Sequence, residues 1–123
     1  MRRIVTLWLL GSLGLPACKD QAPSPAEICD RAWTAHEQVV TAGEHAPSCN
    51  EAGLAMQRVF AEHRQAFVEG LALERGAMPA EATAYLEAHQ DRYADLETRM
   101  EALSERCAED PGAQAVFRQM ESP

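Results

Sequence analysis

Leu86, His89, Tyr93, Leu96, Met100, Leu103 and Cys107 follow one another in alternating steps of three and four residues. On an α-helix that spacing puts all seven on one side, whereas on a strand it would scatter them over both faces, so this stretch is committed to a helix burying a single seam. Two further segments behave in the same way. At about 100° per residue, Cys49, Ala52, Met56, Val59, Phe60, His63, Phe67 and Leu71 gather on one arc. Upstream, Ile28, Cys29, Ala32, Trp33, His36, Val39 and Val40 form another, with Asp30, Arg31, Thr34, Glu37, Gln38 and Thr41 opposite. No segment shows the period of two that a half-buried strand requires. The expected fold class is therefore all-α: a small antiparallel helical bundle of three main helices plus a short C-terminal helix.

Capping chemistry sets the expected boundaries. Ser24-Pro25-Ala26-Glu27 has the spacing of a capping box with proline at the first helical position, and Gly43 supplies a stop after about Ala42. Ser48 and Glu51 repeat the box and open a second helix, which runs through the isolated Gly70 to Arg75. Pro79 and Glu81 open a third that reaches about Cys107, and Asp110-Pro111 starts a short fourth ending near Met120. The connections at 43–47 and 76–78 are short, which makes successive helices antiparallel, with the last one covering an end or flank.

Ahead of the helices, Arg2 and Arg3 precede an apolar run from Ile4 to Leu15, and the run ends in Leu15-Pro16-Ala17-Cys18. This resembles the leader and lipobox of bacterial lipoproteins, over the first eighteen residues only. The apolar run is shorter than the roughly 20 residues a membrane-spanning helix needs. The resemblance implies a signal peptide at 1–17, lipidation of Cys18, a lipidated cysteine and polar tether at 18–23, and a helical bundle domain at 24–123. Lys19 stands where an aspartate would favour retention at the inner membrane, so the implied address is the outer membrane, facing the periplasm.

Charge narrows the partners. The chain carries 19 acidic and 11 basic residues, and Arg2 and Arg3 would leave with the leader. Such an excess disfavours nucleic acid as a partner and gives no electrostatic hold on anionic lipid, leaving the acyl chains as the expected link to the membrane.

With Cys18 lipidated, Cys29, Cys49 and Cys107 remain, an odd number. From the turn near Ala77, the arms back to Cys49 and forward to Cys107 each run roughly 40 Å at about 1.5 Å per residue, so both cysteines arrive at one end. Cys29 lies about 20 Å from that level by the same rise. The expected disulfide is Cys49–Cys107, with Cys29–Cys49 as the competing pairing. In the first case Cys29 is left as a thiol in the core, or as a reactive or dimer-forming one.

Three histidines, His36, His63 and His89, fall near the middle of the apolar arcs of three different helices. Inward histidines in a bundle can ligate metal or haem. Counted from the end shared by Cys49 and Cys107, His36 lies about one-third as deep as His89, so His63 and His89 are the pair that could meet. No carboxylate shares their stripes and the Glu-x-x-His spacing of di-iron bundles is missing, so the expectation is core histidines, no metal and no cofactor. His36-Glu37-Gln38-Val39-Val40 begins like a zinc-protease helix, but Val40 stands where the second ligand must be. The carboxylates lie on polar faces, where Asp95 with Arg99 and Arg58 with Glu62 have the spacing of helical ion pairs.

With no catalytic signature, the functional reading is not an enzyme. It is an envelope-anchored protein-interaction, accessory or inhibitory module with an envelope protein partner. The alternative is a metal-, haem- or small-ligand-binding bundle that uses the inward histidines.

Overall fold

Helices begin where the capping residues predict. In the structure, a computed structural model describing residues 22–123, Ser24 accepts a hydrogen bond from the Glu27 amide while the Glu27 carboxylate reaches back to the Ser24 amide. These contacts open α1, Pro25–His45. Ser48 accepts from the Glu51 amide and opens α2, Cys49–Arg75. After a short turn come α3, Ala80–Ala88, and α4, Gln90–Arg106. Asp110 accepts from the Ala113 amide at 2.8 Å, ahead of α5, Pro111–Glu121. The described residues contain no strand, and the protein is all-α. The leader, Cys18 and the tether as far as residue 21 lie outside the described residues.

Two helix boundaries differ from the expectation, each for a physical reason. α1 continues through Gly43 to His45. A Cβ at Gly43 would stand 2.6 Å from Leu103 Cδ2 and 2.7 Å from Met56 Sδ, so this glycine lets α1, α2 and α4 converge instead of ending a helix. The single long third helix is broken at His89 (φ −121°, ψ 28°) into α3 and α4. The seam turns accordingly: Leu96, Leu103 and Cys107 are buried, whereas His89 and Tyr93 are exposed.

Packing follows from where the apolar arcs point. α1 and α2 form a tight antiparallel hairpin, α5 lies against α2, and α3 and α4 lie against α1. Gly53 admits α5, since a Cβ there would come within 2.8 Å of the Ala113 amide nitrogen. Val39, Val40, Met56, Phe60, Phe67, Leu96, Leu103 and Val116 are nearly inaccessible and fill the centre. α2 and α4 share no extended helix–helix contact; what ties them is the Cys49–Cys107 disulfide at one end, with a Cα separation of 5.4 Å. The expected pairing is thus present, and Cys29 is a buried free thiol.

The polar side of α1 holds α4. Arg92, Arg99 and Arg106 recur every seven residues on α4, and they face groups on α1 that recur at the same interval. Arg92 donates to both oxygens of Glu37, to Asp30 at 2.8 Å and to Thr34 at 3.0 Å. One heptad on, Arg99 donates to both oxygens of Glu44 and to Thr41 at 3.0 Å. Arg106 then donates to the Gly43 carbonyl at 3.2 Å. The constant offset makes α4 parallel to α1. Arg99 reaches Asp95 only at 3.8 Å, and Arg58 and Glu62 form no ion pair, so the α1–α4 seam takes the arginine expected to pair locally.

Candidate functional site

Because α2 and α4 are joined at the disulfide end and otherwise stand apart, α1 is left as the floor of a cleft of about 350 Å³ between them. Cys29, Ala32, Trp33 and His36 come from α1, and Phe67, Gly70, Leu71 and Glu74 from α2. Leu86 of α3 and Tyr93, Leu96, Glu97 and Met100 of α4 form the opposite wall, and Met120 and Glu121 of α5 close one margin. Gly70 brings the floor and wall together, since a Cβ there would stand 2.7 Å from that of Ala32. The break at His89 matters here too. It lets α3 turn across α1, so that Trp33 packs edge-on against Tyr85 and at a tilt against Tyr93, with centroids 5.9 and 5.4 Å apart.

Polar anchors hold these rings in place. The Tyr85 hydroxyl donates to Asp30 and accepts from Arg92, each at 2.8 Å; burial, reinforced by the Asp30 carboxylate, pushes its pKa up to about 12. Arg92 in turn keeps the Asp30 carboxyl below its ordinary range. The Tyr93 hydroxyl donates to Glu97 at 2.6 Å, and this contact with a carboxylate raises the phenol's pKa.

His36 lies deeper in the bundle than the arm count implied. Gly43 packs against Met56, two turns inside the Cys49 end of α2, so α1 is shifted along the axis and His36 comes to lie on the Phe67 ring at 4.4 Å. Its Nδ1 is 2.7 Å from the Ala32 carbonyl and donates to it. Burial lowers its pKa, against the opposing pull of that hydrogen bond and of the Glu74 charge. The imidazole is therefore a neutral wall of the cleft.

The two metal candidates are not brought together. His63 is half-buried on α2, while His89 is exposed at the α3–α4 junction, stacked on Tyr85 at 4.1 Å with Nδ1 on the Tyr85 carbonyl. Among the described residues, no group of three or more histidines, cysteines or carboxylates is disposed to hold a metal ion. Cys29 lines the cleft, and burial raises its pKa, with Glu74 adding to the effect. Its thiol is protonated at neutral pH and is a poor nucleophile.

A half-buried neutral histidine makes stability depend on pH. Below the ordinary value of 6.5, the unfolded chain takes up a proton that folded His36 resists, so stability falls as pH drops through that value, by at most about 1.4 kcal/mol per pH unit. Asp30 and Glu44, both held down by arginine, extend the loss below about pH 4. Urea unfolding is expected to show a lower midpoint at pH 5.5 than at pH 7.5, and His36→Gln should remove much of that difference.

The arginine ladder and the cleft are the features that seam-counting missed. Arg92, Arg99 and Arg106 against Glu37 and Glu44 is a heptad match visible in the sequence. The cleft had no such signal, because it depends on which helices do not touch. No protein-family model, curated protein or solved structure matches this chain, so what the cleft can do is argued from its own geometry.

Proposed function

We propose that this protein is a bacterial envelope lipoprotein, anchored through Cys18 at the outer membrane and presenting its helical domain to the periplasm as a non-catalytic interaction, accessory or inhibitory module. The observation that carries this reading is the Cys49–Cys107 disulfide. Structural disulfides persist in oxidising compartments, and a bonded pair in the folded domain fits the destination that the leader implies. None of the described helices is long and apolar enough to cross a membrane, which fits a lipid anchor as the point of attachment. The chemistry of the domain supports a binding role. Cys29 is held as a neutral thiol, and Asp30, Glu37 and Glu44 are engaged by Arg92 and Arg99 in holding α4 to α1.

Cell fractionation tests the reading. The wild-type protein should sediment with outer membranes and carry acyl chains on Cys18 by mass analysis, and Cys18→Ala should lose the acylated form. Cross-linking in intact cells, followed by isolation from detergent-solubilised envelopes, should then yield a discrete envelope protein with the wild type. A mature chain that starts at another residue, or a wild-type protein found free of membranes, would reject the anchor.

A further inference from the structure

The charges around the cleft are one-sided. Of the acidic side chains in the described structure, Asp30, Glu37, Glu44 and Asp95 are engaged by arginine. The three that line the cleft, Glu74, Glu97 and Glu121, pair with no cation among the described residues. No lysine or arginine among the described residues lines the cleft, and the imidazole in its wall is neutral. Arg92 comes within 5.8 Å of the Trp33 ring centroid, but it is turned towards α1, where Glu37 and Asp30 neutralise it. Glu97 is oriented by the Tyr93 hydroxyl, and the field of Glu74 is felt at Cys29, His36 and Tyr93, groups on two walls of the same space.

Between these carboxylates the lining is apolar and aromatic, chiefly Trp33, Phe67, Leu71, Leu96 and Met100. A concave apolar space of this size with a few polar groups at its margin has the make-up of a small-molecule site. Unpaired carboxylates beside the half-exposed ring of Tyr93 favour a positive charge there. We propose that the cleft between α2 and α4 binds a small hydrophobic cation: an organic amine whose apolar body enters the space lined by Trp33, Leu71 and Met100 and whose ammonium group lies between Glu74 and Glu97, beside the Tyr93 ring. This activity is separate from any contact with an envelope protein and does not depend on the anchor.

Three probes with one apolar body and different charge test it: 4-phenylbutylamine, 4-phenylbutanol and 4-phenylbutyrate. The chain has two tryptophans, Trp8 and Trp33, so the full chain carrying Trp8→Phe has its sole tryptophan in the cleft. The amine is expected to shift Trp33 emission saturably with a Kd below ~1 mM, the alcohol to bind at least ~10-fold more weakly, and the acid to give no saturable change. Glu74→Gln combined with Glu97→Gln should weaken amine binding at least ~10-fold and bring it level with the alcohol, whereas Glu101→Gln, outside the cleft, should leave it unchanged. The wild-type probe series stands alone even if the double variant is unstable. Equal binding of amine and alcohol, no saturable binding of the amine, or amine binding that survives in a folded double variant would each overturn the proposal. So would a Trp33 signal that changes on dilution without any probe, since that would give the cleft to a second copy of the chain.

Discussion

Replacing either Cys49 or Cys107 with alanine is expected to remove about 4 kcal/mol of stability and to lower the melting temperature by roughly 20 °C. The bonded pair is 58 residues apart in sequence, and in the chain-entropy model closing a loop of that length withdraws about that much conformational freedom from the unfolded chain. The geometry adds a second reason for a large effect. α2 and α4 share no extended contact, so the disulfide is the principal restraint on the distance between them at that end. The double variant should melt close to either single variant, because one substitution already opens the loop. Reduction of the wild type with dithiothreitol should produce a similar loss, which separates the bond from any packing defect at the buried Cys107. Melting curves by circular dichroism decide the matter. A drop of only a few degrees in all variants would mean that α4 is held in place by the arginine ladder and the core alone.

That restraint also explains why some of this fold could be read from sequence and some could not. Ser24, Ser48 and Asp110 each specify a helix start through a hydrogen bond to an amide three residues on, a local event that the sequence states directly. Cys49 and Cys107 were matched by arm length, which a helix makes nearly a ruler. The break at His89 escaped because it contains no proline or glycine and because the steps of three and four continue through it. Seam-counting records the angle around an axis and carries no information on whether the axis bends. Thr34, Glu37 and Thr41 lie opposite the apolar arc of α1, and their contact with α4 is hidden for a related reason. Polar residues can line an interface when the partner helix brings arginines at the same interval, and α4 does so with Arg92 and Arg99.

The cleft was out of reach on different grounds. Short connections predict that consecutive helices are neighbours, yet α3 and α4 turn away from α2 and lie on α1. Two terms favour that choice: the ion pairs of the ladder, and the packing of Tyr85 and Tyr93 on Trp33. The ion pairs lie outside the apolar seams, and the contact of Tyr85 with Trp33 comes with the bend at His89. Once α4 follows α1, the faces of α2 and α4 that bear Glu74 and Glu97 are left across an open space.

Phe67→Ala is expected to cost about 3 kcal/mol, the low end of the range for truncating a buried phenylalanine. Phe67 is 2% exposed and lies between Phe60, at 5.0 Å between ring centroids, and His36, at 4.4 Å. The space left by its ring would join a cleft that is already open, so water can enter and the penalty for an empty cavity is smaller than in a closed core. The same entry of water has a second consequence. His36 owes its lowered pKa first to burial, and the Phe67 ring lies directly on the imidazole. With the ring gone the imidazolium is better hydrated, so the pKa of His36 should rise towards its ordinary value and the loss of stability below pH 6.5 should shrink. Phe67→Leu keeps most of the volume and is expected to cost less than about 1.5 kcal/mol while leaving His36 largely desolvated. Urea unfolding at pH 7.5 and 5.5, with the His36 ring followed by NMR titration, reads both effects in one series. A large loss of stability with no change in the His36 titration would show that α1 and α2 collapse over the missing ring, and that the floor of the cleft is more pliable than its close contact at Ala32 and Gly70 implies.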